Sequence, residues 1–149
     1  MTGALRAVFP RLEALYESLS RETEAGPGCR ACGSCCHFDV MDHVVYCSRL
    51  EAMFLLEGAP WWPRVRPAPG RCPGQAEKTC AARRWRPLGC RLYLCGPAAA
   101  ADGAQDDGRA ERWHRALKAI HEEADLPWDY RPLLQWSDAG KDLYNGEGF

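Results

Sequence analysis

The chain has 149 residues, 46% of them apolar, a formal net charge of −1 and nine cysteines. That length predicts a single domain spanning 1–149. No apolar run approaches the ~18–20 residues of a membrane span, and no apolar stretch near the N-terminus forms a secretory signal, so a cytoplasmic protein is expected.

The first predicted element is an amphipathic helix over 4–24. Leu5, Val8, Phe9, Leu12, Leu15, Tyr16 and Leu19 recur at three- and four-residue steps and form one apolar stripe. Pro10 either begins the regular helix or kinks it. Gly26-Pro27-Gly28 ends it and leads into Cys29-Arg30-Ala31-Cys32-Gly33-Ser34-Cys35-Cys36, followed by His37.

Phe38 to Tyr46 is partly β-branched and reads as a short strand. Ser48-Arg49-Leu50-Glu51 has the form of a capping box opening a helix over 49–57, largely buried through Met53, Phe54, Leu55 and Leu56, with Gly58 as its stop. Cys47, just ahead of the cap, reads as a small buried hydrophobe rather than a ninth ligand. Residues 58–75 form a loop, because Pro60, Pro63, Pro67, Pro69 and Pro73 forbid regular structure over most of it; Trp61 and Trp62 are expected to cover something there.

A second cysteine set follows in Cys72, Cys80, Cys90 and Cys95. Gly96 to Gly108 is a linker of small and acidic residues, and Asp106 or Asp107 is a candidate cap for a helix over 109–124 with Trp113, Ala116, Leu117 and Ile120 on its apolar face. The tail from Pro127 carries Trp128, Tyr130, Leu133, Leu134 and Trp136, and this aromatic content predicts that it packs back on the domain. The segments so defined are the N-terminal helix at 4–24, a cysteine-bearing core at 29–95 and a helix with aromatic tail at 109–149. The fold class they predict is mainly α, small and irregular, with helices and long loops stapled by a multi-cysteine metal centre.

Clustered cysteines in a reducing compartment indicate metal more often than disulfides. The odd count fits a pure disulfide framework badly. Cys35 and Cys36 fit it worse, since neighbouring Cα atoms stand ~3.8 Å apart and ordinary disulfides prefer ~4.4–6.8 Å. Setting Cys47 aside leaves eight thiols in two sets of four, and both zinc and iron–sulfur clusters commonly take four. On a helix, Cys29, Cys32 and Cys36 would share a face and Cys35 would point about 100° away, so ligands are expected to come from both sets. The run lacks the three-residue gap and Cys-Pro of a ferredoxin, and no His-x3–5-His pair completes a zinc finger.

These residues resemble the CxxCxxCC family of cysteine-cluster proteins, described as zinc- or iron-chelating domains. The resemblance rests on Cys29, Cys32, Cys35 and Cys36, on Cys72 and Cys80, and on Arg86-Pro87-Leu88-Gly89-Cys90-Arg91 with Tyr93 and Cys95 beyond it. It covers roughly residues 29–95 and implies metal binding by the eight cysteines. Zinc and an iron–sulfur cluster of the 4Fe–4S kind both remain open, with iron–sulfur preferred.

Between 61 and 95, eight basic residues (Arg64, Arg66, Arg71, Lys78, Arg83, Arg84, Arg86 and Arg91) face Glu77 alone, a local charge of +7. Such a segment either binds nucleic acid or offsets an anionic metal–thiolate centre, since four thiolates around Zn²⁺ leave a net −2. The near-neutral whole chain favours the second reading. His37 and His43 are candidates for ligands or proton donors beside the metal, His37 more for a hydrogen bond to the ligand shell. His121-Glu122-Glu123 begins like a zincin helix but has Asp125 where the second histidine belongs; Asp102, Asp106 and Asp107 do not keep EF-hand spacing. No phosphate loop, nucleophile elbow or catalytic triad pattern is present, so the expected role is a metal-binding accessory or electron-transfer protein acting with a protein partner. The alternative is a zinc-stabilised interaction module.

Overall fold

The computed structural model describes residues 2–24, 44–66, 68–77, 79–92 and 108–138. Most of these are helical, as expected, and among them no helix is long and apolar enough to cross a membrane. The first helix, α1, runs Thr2–Glu24. It passes through Pro10, which therefore neither begins nor ends it. Leu5, Val8, Leu12, Tyr16 and Leu19 are all buried, so tertiary burial on both sides of Pro10 offsets the hydrogen bond that proline cannot donate.

Strand β1 is Tyr46–Ser48, followed directly by helix α2, Arg49–Gly58. The predicted 38–46 strand meets it only at Tyr46, and most of that range lies outside the described residues. The capping box stands as expected: Glu51 N–H donates to Ser48 Oγ at 3.4 Å, and Ser48 N–H donates to Glu51 Oε2 at 2.8 Å. Gly58 does not stop α2 through a left-handed turn. It is the last helical residue, and the C-cap is Ala59 at φ −129°. A Cβ on Gly58 would stand 2.2 Å from Trp85 Nε1, so glycine is required here for close approach to the indole.

The proline-rich loop contains a single 3-10 turn, Trp62–Arg64, and ends in a minimal hairpin of β2 (Gln75–Ala76) and β3 (Thr79–Cys80). Trp62 is buried and underlies that hairpin: a Cβ on Gly74 would meet its ring at 2.5 Å. A second 3-10 turn, Arg83–Trp85, leads to the five-residue helix α3, Leu88–Leu92. Helix α4 is Arg109–Glu123. Its N-cap is Gly108 at φ +78°, with no side-chain cap; the predicted capping residues Asp106 and Asp107 lie outside the described residues.

The tail does pack back. Strand β4, Tyr130–Pro132, pairs antiparallel with β1 in the register Tyr46↔Pro132 and Ser48↔Tyr130, and helix α5, Leu133–Asp138, follows. Trp136 is buried and its Nε1–H donates to the Cys47 carbonyl at 3.1 Å, supplying the acceptor's partner where a further strand would otherwise stand. Helices α1 and α4 lie antiparallel, clasped at one end by Glu22 with Arg109 and Arg112 and at the other by Arg11 with Glu123. The core joins α1, α2, Leu117 and Ile120 of α4, and Leu133 and Trp136 of α5.

Candidate functional site

Of the eight cysteines singled out by the sequence, three fall among the described residues. Cys72 and Cys80 belong to one hairpin. The Cys72 carbonyl accepts from Gln75 N–H at 3.1 Å, and Gln75 is the β-partner of Cys80. This short ladder thus brings the backbone of both residues to the base of the same turn, Cys72 buried and Cys80 partly exposed. Cys90 is on α3, partly buried. Cys29, Cys32, Cys35, Cys36 and Cys95, with His37 and His43, lie outside the described residues. Among the described residues no three His, Cys, Asp or Glu side chains gather as a metal-holding group.

The donor chemistry still fits a thiophilic metal. Cys72 and Cys80 on the hairpin and Cys90 on α3 carry the sulfur donors such a metal takes, and the thiols of Cys47 and Cys72 are not locked in a disulfide. Cys47 is completely buried in β1, in agreement with its reading as a small hydrophobe. Burial pushes its thiol well above the ordinary range, and the Glu51 carboxylate and Cys90 push it further, which opposes the thiolate a metal needs.

The arginines of the basic segment are largely committed to the protein. Arg66 Nη1 donates to the Pro63 carbonyl at 2.5 Å, and Arg84 pairs with Glu13 of α1 at 3.4 Å. Arg91 is fixed from three sides: Nε donates to Arg86 O at 2.9 Å, Nη2 to Arg84 O at 2.7 Å, and the guanidinium lies 4.0 Å over the Tyr16 ring. Desolvation lowers its pKa to about 10, so it remains a cation at neutral pH. An open groove of about 400 Å³ beside it is lined by Glu13, Tyr16, Glu17, Arg21, Arg84 and Arg91. Its charges are of both signs, unlike the uniformly basic surface expected of a nucleic-acid binder.

Sequence reasoning found the capping box but not the depth of Glu51. The side chain is fully buried, and its Oε1 accepts from Tyr16 O–H at 2.9 Å and from Leu88 N–H at 2.7 Å. Desolvation raises its pKa; the amides of Leu88 and Ser48 and the Tyr16 hydroxyl oppose that rise by bonding the charged form. Tyr16 is raised well above its usual value, first by burial and then by Glu51. The available signal was an acidic residue set inside the run Leu50, Ala52, Met53, where an ordinary N3 glutamate would face solvent.

His121 was also missed as a structural residue. Its Nε2 lies 3.1 Å from Ser48 Oγ and its Nδ1 3.2 Å from Pro127 O, with Trp128 edge-on at 5.0 Å between centroids. A serine and histidine at this distance invite comparison with a hydrolase dyad. Here Ser48 and His121 are both buried, and Glu51 contacts the Ser48 amide and not the imidazole. The arrangement caps α2; it is not built to attack a substrate. Desolvation lowers the His121 pKa and favours the neutral ring.

Compared with family models, curated proteins and solved structures, the chain matches none of them.

Proposed function

We propose that the protein binds metal through the thiolates of Cys29, Cys32, Cys35, Cys36, Cys72, Cys80, Cys90 and Cys95, holding an iron–sulfur cluster, and that it works in the cytoplasm as an accessory or electron-transfer subunit with a protein partner. The observation that carries this reading is the pair of four-cysteine sets in the sequence. The brevity of the elements that bear Cys80 and Cys90 supports it. Two-residue strands and a five-residue helix are too short to be stable alone, and a metal bound across them would supply what local propensity does not. When bound, an iron–sulfur cluster supplies a one-electron couple whose potential is set by nearby charge and hydrogen bonds. Arg84 and Arg91, close to Cys90 in the chain, bring positive charge to its side of the molecule.

The second reading is a zinc-stabilised interaction module, in which the same thiolates hold a structural ion. Purification without oxygen, followed by a visible spectrum, metal analysis and an assay for acid-labile sulfide, separates the two. A brown protein with iron and sulfide in near-equal amounts is expected. A colourless protein with stoichiometric zinc and no sulfide replaces the first reading with the second.

A further inference from the structure

The helix that bears Cys90 spans only Leu88–Leu92, and a side chain from another element fixes its start. Glu51 Oε1, on α2, accepts the Leu88 N–H at 2.7 Å, a first-turn amide with no acceptor inside α3. The same oxygen takes the Tyr16 hydroxyl at 2.9 Å, and Oε2 takes the Ser48 amide at 2.8 Å. One carboxylate therefore ties α1, β1, α2 and α3 together at a point closed to solvent. A capping box needs one carboxylate oxygen; here the other is turned to α1 and α3.

The residues on either side of Cys90 are held as firmly. A Cβ on Gly89 would lie 3.0 Å from Tyr46 O, so α3 rests directly against β1. Arg91 is locked over Tyr16, whose hydroxyl returns to Glu51. The Tyr16 hydroxyl and the Leu88 and Ser48 amides all donate to Glu51 and none of them needs to accept, a demand that a carboxylate meets in full. A glutamine would turn its NH2 towards at least one N–H or O–H.

We propose that Glu51 is the positioning residue for Cys90: its carboxylate sets where that thiol stands. The proposal draws on the metal-thiolate reading only for what Cys90 ligates; the placement of α3 belongs to the chain itself.

The test is the rate at which iodoacetamide alkylates each cysteine of the full-length protein as purified, read by peptide mass spectrometry. The set is wild type, Glu51→Gln, Tyr16→Phe and Ser48→Ala. Glu51→Gln is expected to speed Cys90 roughly ten-fold, as befits losing a hydrogen bond to a charged group, with Cys72 and Cys80 changed less than about two-fold. Tyr16→Phe shifts Cys90 in the same direction by less, and it serves in place of Glu51→Gln should that variant not fold. Ser48→Ala removes the serine side chain from Glu51 but keeps the bond from Leu88 to Glu51, so it shifts the Cys90 rate by much less than Glu51→Gln. Equal acceleration at all three cysteines marks a general loosening and overturns the proposal, as does an unchanged Cys90. In protein that carries metal, the Glu51→Gln variant also shows shifted thiolate-to-metal absorption bands. A wild type that holds no metal ends the reading of the site, while the alkylation pattern still decides the role of Glu51.

Discussion

The two halves of this molecule solve the problem of holding a backbone in place by opposite means. Around α1, α2, β1 and α5 the chain buries large apolar side chains and gives three buried polar groups partners drawn from distant elements: Glu51 has Tyr16 and the amides of Leu88 and Ser48, His121 has Ser48 and Pro127, and the Cys47 carbonyl has Trp136. From Trp62 to Leu92 the elements are two to five residues long and are anchored on side chains and backbone of the first region, as Trp85 is against Gly58, Leu88 on Glu51 and Gly89 against Tyr46. The first region can specify its own geometry. The second borrows geometry from the first, and under the proposed function it also borrows from a metal.

That contrast can be broken most severely at a ligand. Cys90→Ser, like Cys32→Ser, is expected to release the metal and unfold the 62–92 region. Chelation of the wild-type protein should do the same while amides of α1 and α2 keep their hydrogen-exchange protection. Metal analysis with exchange mass spectrometry reads both, and uniform loss of protection would show that the two regions do not differ as described.

Next in size is Trp136→Ala, which opens a cavity in the self-sufficient region and orphans the Cys47 carbonyl. It should cost about 3–5 kcal/mol in urea unfolding with metal content per folded molecule unchanged. Gly58→Ala forces Trp85 off its seat, for which overpacking costs of about 1–3 kcal/mol apply. Its effect should show as changed Trp85 fluorescence together with a lowered midpoint. Cys47→Ser should retain full metal and lose only about 1 kcal/mol or so, the cost of a hydroxyl in a dry site. A Cys47→Ser variant that loses metal as fully as Cys90→Ser would mean the ligand set is wrong.

The smallest effect is a pH slope. His121 has a depressed pKa in the fold, so the unfolded chain binds its proton more tightly and stability is lost as pH falls from the ordinary histidine value of about 6.5 through the folded one. Glu51 has the opposite sign. Its raised pKa means that the cost of burying its charge is relieved as pH falls from the folded value towards the ordinary carboxyl value. Urea unfolding of wild type and His121→Gln between pH 7 and 5 should show the steeper acid loss in wild type. A parallel pair of curves would remove His121 from this account.

How much of this was legible in the sequence follows the same division. The stripe of α1, the capping box at Ser48, the buried run of α2 and the return of the aromatic tail are local or periodic signals, and each stands in the structure. The expected strand over 38–46 reaches β1 only at Tyr46 among the described residues; three residues carry too little pattern to mark β1, whose position is set by pairing with Tyr130–Pro132, which no local window contains. Gly58 reads as the stop of α2 and the helix does end there, but its second duty, to admit Trp85, depends on a residue far along the chain. Glu51 and His121 were opaque for a related reason: their partners come from α1, α3 and the segment before β4, and only the assembled fold brings these together. The cysteine pattern was the most conspicuous signal of all, yet it names a chemistry without supplying the geometry that would perform it.

The pairing of β1 with β4 has one more consequence, for the entropy of whatever happens between them. Trp136 reaches back to Cys47 across 89 positions of sequence. The strand pair and this bond tie shut a ring of chain in which Cys72, Cys80, Cys90 and Cys95 all lie. Within that ring, drawing two thiols together closes a short internal span, and the logarithmic cost of joining distant segments has already been met by the strands at its neck. The tail that returns to β1 therefore acts as a drawstring. Cutting the chain ahead of β4, which removes the strand pair itself and not Trp136 alone, is expected under the proposed function to weaken metal binding at cysteines it never touches.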